Sequence, residues 1–400
     1  MNLTKNLLSL LLFYSIVVCL CSCNQGKKDP HITDDKYGME SDSKVLASKI
    51  IAGWNLGNSL EAISKDRNEN SEIAWRNPQT TKAMIDSVAI AGFNAIRIPI
   101  CWYPHFTDDN NIKIDEKWIN RVKEVVGYCL DNDLYVIINT HHEHWLENHP
   151  FFKDSTEVYR KEALLWKEIA TIFKDYDERL LFAGTNEVHI KDDWGAPGDE
   201  NVVVQNGFNR VFIDAVRSTG GKNTYRNLII QTYGANSEYG PGHLEIPHDP
   251  TPNRLMVEVH YYDPYGYCGT DDIKFWGKPY EKYGIDSIGQ EDFVENRFLS
   301  IKKLFVDKGH PVILGEWGAP RHSVNKGEDE EIMNKSRAYY YEKIVSIAKK
   351  NGMVPFVWDN GYSSSGPDQF GLFDRKDGMK NIDKSTIDAI MKGAQTNYPF

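Results

Sequence analysis

Two glutamates follow apolar runs that read as buried strands. Leu180 to His189, LLFAGTNEVH, delivers Thr185, Asn186 and Glu187, and Pro311 to Gly318, PVILGEWG, delivers Glu316. A carboxylate at the carboxyl end of such a strand sits where barrels and open α/β sheets place their active sites. Two of them, one protonated and one ionised, are the equipment for breaking a glycosidic bond. Polar or aromatic residues close other apolar runs: Asn58 in IIAGWNLGN, Arg97 in FNAIRIPI, His141 after LYVIINT, His260 and Tyr262 in LMVEVHYY, Trp358 after MVPFV. Period two sets His260 and Tyr262 on one face of their strand. Singly, each has a structural explanation: an ion pair for Arg97, a satisfied core histidine for His260, packing for Trp358. Their shared place at strand ends gives them a joint chemical meaning.

The elements that must position them alternate from Lys44 onward. Strand-like runs fall at Ile50–Asn58, Phe93–Ile100, Leu134–Thr140, Leu180–Asn186, Asn227–Tyr233, Leu255–Tyr262, Pro311–Glu316 and Met353–Trp358. Helical spacing separates most of them, from Asn77-Pro78 to Gly92, after Asp115, around Ala163 to Phe173, and over Val202–Arg217, Phe293–Phe305, Ile332–Lys350 and Ile382–Ala394. Gly240-Pro241-Gly242 predicts irregular chain between the fifth and sixth strands. The count is that of a (β/α)8 TIM barrel, one catalytic domain over 44–400. A doubly wound sheet is disfavoured, because no Gly-rich phosphate loop follows the first strand.

The net charge of -11 argues against nucleic acid and polyanionic ligands, and 12% aromatics suit stacking on neutral sugars. Met1 to Lys5 with the apolar Leu7–Leu20 reads as a leader, too short for a membrane span. It ends in Leu20-Cys21-Ser22-Cys23, which resembles a bacterial lipobox. The expectation is a signal peptide over 1–22, lipidation at Cys23, a flexible tether over 23–43 and a protein anchored to the cell envelope. Cys101, Cys129 and Cys268 of the body read as buried thiols. His141, His142, His144 and His149 invite a metal, but adjacent strand residues point to opposite faces, so neither metal nor cofactor is expected.

The set resembles glycoside hydrolase family 5. GWNLGNSLEA (53–62), AGFNAIRIPICW (91–102), INTHHE (138–143), TNE (185–187), HYY (260–262), LGEWG (314–318) and VWDNG (357–361) carry the likeness. The first of these, with NPQTTKAMID, looks most like bacterial endo-β-1,4-glucanases of the broad-specificity cellulase and xyloglucanase subgroup. The family's usual Pro after Asn-Glu is Val188 here. The resemblance implies a retaining enzyme with Glu187 as general acid/base and Glu316 as nucleophile. Facing an ionised Glu316 would raise the proton affinity of Glu187. Arg97 and Tyr262 would hold Glu316, Asn186 the sugar 2-hydroxyl, and His141 and His260 sugar or the acid/base. Trp358 would floor the cleavage subsite and Trp75 stack on a neighbouring sugar. The implied partner is plant cell-wall β-glucan, met by a monomer. A β-1,4-mannanase with the same set, and a surface glycan-binding lipoprotein, are the alternatives.

Overall fold

The computed structural model describes residues 36–65 and 71–400; the leader, Cys23 and most of the expected tether lie outside them. Eight parallel strands close a barrel: β1 Gly53–Asn55, β2 Ala95–Ile98, β3 Tyr135–Asn139, β4 Leu180–Ala183, β5 Leu228–Asn236, β6 Leu255–Tyr261, β7 Val312–Trp317 and β8 Met353–Val357. Each pairs with its neighbours in sequence, and β8 returns to β1. Around them run α1 Lys82–Ile90, α2 Glu116–Leu130, α3 Phe152–Ile172, α4 Asp199–Ser218, α5 Glu291–Leu304, α6 Glu328–Lys350 and α7 Lys384–Gly393. Between β5 and β6 there is a 3-10 turn at Pro241–His243 and no α-helix, as the glycines and proline there dictate.

Side chains that take an orphan amide mark the starts of α1, α2 and α7, at Thr81, Asp115 and Asp383. Asp115 caps α2, accepting from Lys117 N at 2.7 Å, a contact worth about 1 kcal/mol. The same helix buries Trp118, Val122, Val125, Val126 and Cys129. Helix α1 starts at Lys82, capped by Thr81, rather than at Asn77. The intervening groups are already committed: Asn77 Nδ2 donates to the Asn58 and Asn360 carbonyls, and Thr80 N to Glu72.

The flexible tether expected to reach Ser43 ends sooner. Met39 and Ser41 are buried. Glu178 accepts from Ser41 N (2.7 Å) and Oγ (2.6 Å), while Asn227 and Arg254 donate to the Ser41 carbonyl. A polar stretch behaves as a tether only while water holds its polar groups; these are held by the barrel. The helix Ser43–Lys49 then carries Leu46 and Ala47 into one apolar cluster with Ile50 and the inward residues Ala95, Ile137, Leu181, Ala183, Ile229, Met256, Ile313, Val354 and Phe356.

Alternation does the rest. Ile96, Ile98, Val136, Ile138, Phe182, Ile230, Val257 and Leu314 face outward and join the core beneath the helices. Followed toward the strands' carboxyl ends, the inward rows change from apolar to polar: Asn55, Arg97, Asn139, Gln231 and Glu258, all fully buried. Strict alternation would send Glu316 outward, since Ile313 faces in and Leu314 out. The ladder shifts there: Leu314 pairs with Val259, yet Glu316 pairs with His260. Gly315 is the extra residue, and this bulge turns Glu316 inward. A side chain at 315 would meet Glu258 Oε1 at 2.0 Å, so only glycine fits.

Candidate active site

Arg97 organises the polar end of the barrel. Its Nη1 donates to Glu316 Oε1 (2.8 Å) and Asn55 Oδ1 (3.0 Å), its Nη2 to Asn186 Oδ1 (2.8 Å), and its Nε lies 2.9 Å from Glu258 Oε1. Tyr262 Oη donates to the other Glu316 oxygen at 3.3 Å. Across the cleft His260 Nδ1 meets Glu187 Oε1 at 2.6 Å, and its Nε2 lies 3.3 Å from Glu258 Oε1. One oxygen each of Glu187 and Glu316 and one nitrogen of His260 all lie within 4.8 Å of one another.

Two cations, Arg97 and imidazolium His260, thus face three carboxylates, and one further proton neutralises the set. Burial raises Glu258, but Arg97 and then His260 and Gln231 bring it down to about 2, a permanent anion. Burial opposes a charged His260, yet Glu316, Glu187 and Glu258 raise it to about 10. Burial also raises Glu316; His260 and Arg97 oppose this, Glu187 and Glu258 add to it, and Glu316 ends above the ordinary value. Burial is the largest influence on Glu187 and raises it, but the His260 bond and charge, with His189 and His142, together bring it below the ordinary value. This reverses the expectation that Glu187 would be raised opposite an ionised Glu316: Glu316 is the raised carboxyl and Glu187 the lowered one. With Glu187 lowered and His260 raised, the proton shared across their 2.6 Å contact is held by His260. Moved across, it leaves a neutral acid at Glu187 and a neutral imidazole braced by Glu258.

Other expected residues are placed as follows. His141 and Trp358 line the cleft with parallel rings 6.3 Å apart, and His141 Nδ1 lies 3.2 Å from Asn139 Nδ2. His141 and His142 do not point apart: their ring centroids are 4.3 Å apart and both line the cleft. The strand ends at Asn139 and His142 turns at φ +56°, so alternation no longer applies. They form no ligand set with His144 and His149. Among the described residues the one three-ligand group is Glu187, His260 and Glu316, and His149 instead pairs with Asp154 at 3.0 Å. Neither Asn58 nor Trp75 borders the cavity that holds Glu187 and Glu316. Asn58 occupies a turn at φ +56°, its amide bonded to Glu61. The Trp75 ring lies 5.5 Å from that of His142. Val188 is buried with Leu146, Val158, Val204 and Phe208, and its carbonyl accepts from Gly234 N at 2.8 Å. Cys101, Cys129 and Cys268 are buried free thiols.

Sequence reasoning missed Glu258, Asn55 and Gln231. Glu258 had a readable signal: a lone charge in an apolar strand, two residues before His260 and therefore in phase with it. The cleft, about 790 Å³, also takes Trp194 and Phe370 from loops and Tyr265 from the short helix Tyr265–Cys268.

A xyloglucan-specific endo-β-1,4-glucanase of Bacteroides ovatus is 39% identical over 91% of this chain and 73% of its own. Endoglucanase A of Ruminococcus albus is 38% identical over 88% of this chain and 92% of its own. The solved structure of a Bacteroides ovatus xyloglucanase with a heptasaccharide superposes with TM-score 0.84, covering 92% of this chain and 80% of that one at 38% identity. The model of the cellulase family, glycosyl hydrolase family 5, matches residues 59–364, and the chain belongs to that family.

Proposed function

We infer that the protein is a retaining endo-β-1,4-glucanase working through a covalent glycosyl-enzyme. The observation that carries the reading is the approach of Glu187 and Glu316 oxygens to within 4.8 Å. Inversion needs carboxyls about 6.5–9.5 Å apart to admit water between them; retention needs about 5–5.5 Å. Glu316, aimed by Arg97 and Tyr262, attacks the anomeric carbon while the proton shared by Glu187 and His260 passes to the leaving oxygen. Glu187, now an anion, takes a proton from the water that cleaves the ester. Asn186 commits its oxygen to Arg97, so its NH₂ is the group left to donate to the sugar 2-hydroxyl. Trp358 floors the cleavage subsite, and His141 beside it is neutral: burial, then His142 and Arg97, hold it well below the ordinary value. Proton NMR of fresh products tests the mechanism: the β anomer comes first, and an initial α anomer overturns retention.

The finer reading is a xyloglucan- or glucan-cleaving lipoprotein of the bacterial cell envelope, acting as a monomer. The xyloglucan-specific relative supports the substrate, and the leader ending at Cys23 supports the anchor. A product profile over β-1,4-linked polysaccharides decides the first. Mass spectrometry of the amino terminus decides the second, acyl groups on Cys23 being the expected result.

A further inference from the structure

The chain after β3 carries two buried carboxyls that the reaction does not use. Glu143 and Glu147 bracket the short helix His144–Glu147 and are 0% and 4% exposed. Glu143 ties this loop to the one after β2, accepting from the Trp102 and Tyr103 amides and from Trp145 Nε1. Glu147 ties it to the segment of the acid/base. Its side chain folds back to accept from His142 N at 3.1 Å, at the turn where φ is +56°. Its main-chain carbonyl accepts from His189 N at 3.0 Å, two residues past Glu187. Left-handed backbone at a residue other than glycine persists only where the surroundings hold it. The rings of His141 and His142 both line the cleft from that turn. One residue therefore joins the turn that aims two histidines to the segment that Glu187 begins.

Resting on the glucanase reading above, we propose that Glu147 is a positioning residue for the acid/base, holding the chain after Glu187 against the turn at His142. It does this without a charge. Burial raises Glu147 well above the ordinary carboxyl value, Glu187, Glu143 and Glu316 add to this, and the His142 amide opposes it. An anion at this place would add to the three carboxylates around Arg97 and His260. It would hold the proton shared by Glu187 and His260 more tightly and make it a poorer acid. A neutral carboxyl keeps the acceptor oxygen that His142 N needs and leaves that balance alone.

The test separates the acid/base from the nucleophile by leaving group. Cleavage of xyloglucan or carboxymethylcellulose needs the Glu187 proton, whereas dinitrophenyl β-cellobioside loses its aryl group as an anion and needs only Glu316. Glu147→Ala should lose about 10- to 100-fold in kcat/KM on polysaccharide, the cost of a catalytic group set slightly out of line, with kcat/KM on the aryl glycoside little changed. Glu147→Gln, which keeps an oxygen for His142 N and carries no charge, should recover most of the polysaccharide rate, with both limbs of the pH profile in place. Glu147→Asp, one carbon short of that amide, should fall between, and gives the same split if the Ala variant does not fold. Equal losses on both substrates, or an undiminished polysaccharide rate in Glu147→Ala, overturn the positioning role. A Gln variant no better than Ala, or one whose limbs both move toward acid, overturns it as well, the second because Glu147 would then be an anion. Wild-type protein that cleaves neither substrate overturns the glucanase reading, a result distinct from all of these.

Discussion

Glu316 and Glu187 reach one cleft from opposite sides of the barrel and are held in contrasting ways. Glu316 belongs to strand β7, turned inward by the bulge at Gly315, its side chain 8% exposed and gripped by Arg97 and Tyr262 on separate oxygens. Glu187 stands beyond the end of β4, 24% exposed, with His260 as its side-chain hydrogen-bond partner. A nucleophile must be an anion aimed along one line, and fixing both oxygens does that. A proton donor must follow an oxygen that moves as the bond breaks, and needs a proton in store rather than a fixed aim. The difference in grip is the difference in task.

The comparison breaks most visibly if the nucleophile is removed. Glu316→Ala should fall to background on every substrate, with no covalent intermediate detected by mass spectrometry. Glu187→Ala should lose between about 10² and 10⁴-fold on polysaccharide, the range of acid catalysis. It should still form the glycosyl-enzyme from a dinitrophenyl glycoside, and azide should release that intermediate as a β-glycosyl azide. If the Glu316 variant cleaves the aryl substrate and the Glu187 variant is dead on both, the two tasks are exchanged. A smaller effect is expected from Arg97→Lys, which keeps the charge and loses the fork to Glu316, Asn186 and Asn55. A nucleophile misplaced by a fraction of an ångström should cost up to about 10²-fold in kcat. A Lys variant with full kcat would mean that charge alone, and not aim, is what Glu316 needs.

The barrel was legible because its strands are buried on both faces and its helices on one, so apolar runs and helical spacing alternate in the chain. What composition hid was the docking of Met39 to Ser43, whose polar groups look solvated until Glu178, Asn227 and Arg254 are placed beside them. Both glutamates were readable from their positions after apolar runs. Their protonation was not. Glu187 is lowered by His260, and His260 is raised by three carboxylates that come from three separate strand ends. By its sequence Asn58 reads as the polar end of β1, but the strand stops at Asn55, and it is Asn55 that meets Arg97. An end point three residues off changes which side chain faces inward, and no local pattern fixes that end point.

The smallest expected effect sharpens the comparison furthest. Glu258 touches neither carboxylate of the pair, yet its charge acts on both tasks. It pairs with Arg97, it lies beside His260 Nε2, and it pushes Glu316 upward. The acid limb of kcat/KM reports Glu316 becoming an anion, so a Glu316 raised above the ordinary value sets that limb above a simple carboxylate's. The alkaline limb reports loss of the proton held by Glu187 and His260, and His260 near about 10 carries it far into base. Glu258→Gln keeps the shape and removes the charge. Without that anion Glu316 loses a repulsion and its proton leaves at lower pH, while His260 loses an attraction and its proton leaves at lower pH as well. Both limbs should therefore move in the same direction, toward acid, with the optimum rate changed less than the profile. A structural role for Glu258 would lower the rate at all pH values and leave the limbs in place. Movement of the alkaline limb alone would show that Arg97 had already shielded Glu316 from Glu258, and that the nucleophile is insulated from the network that serves the acid/base.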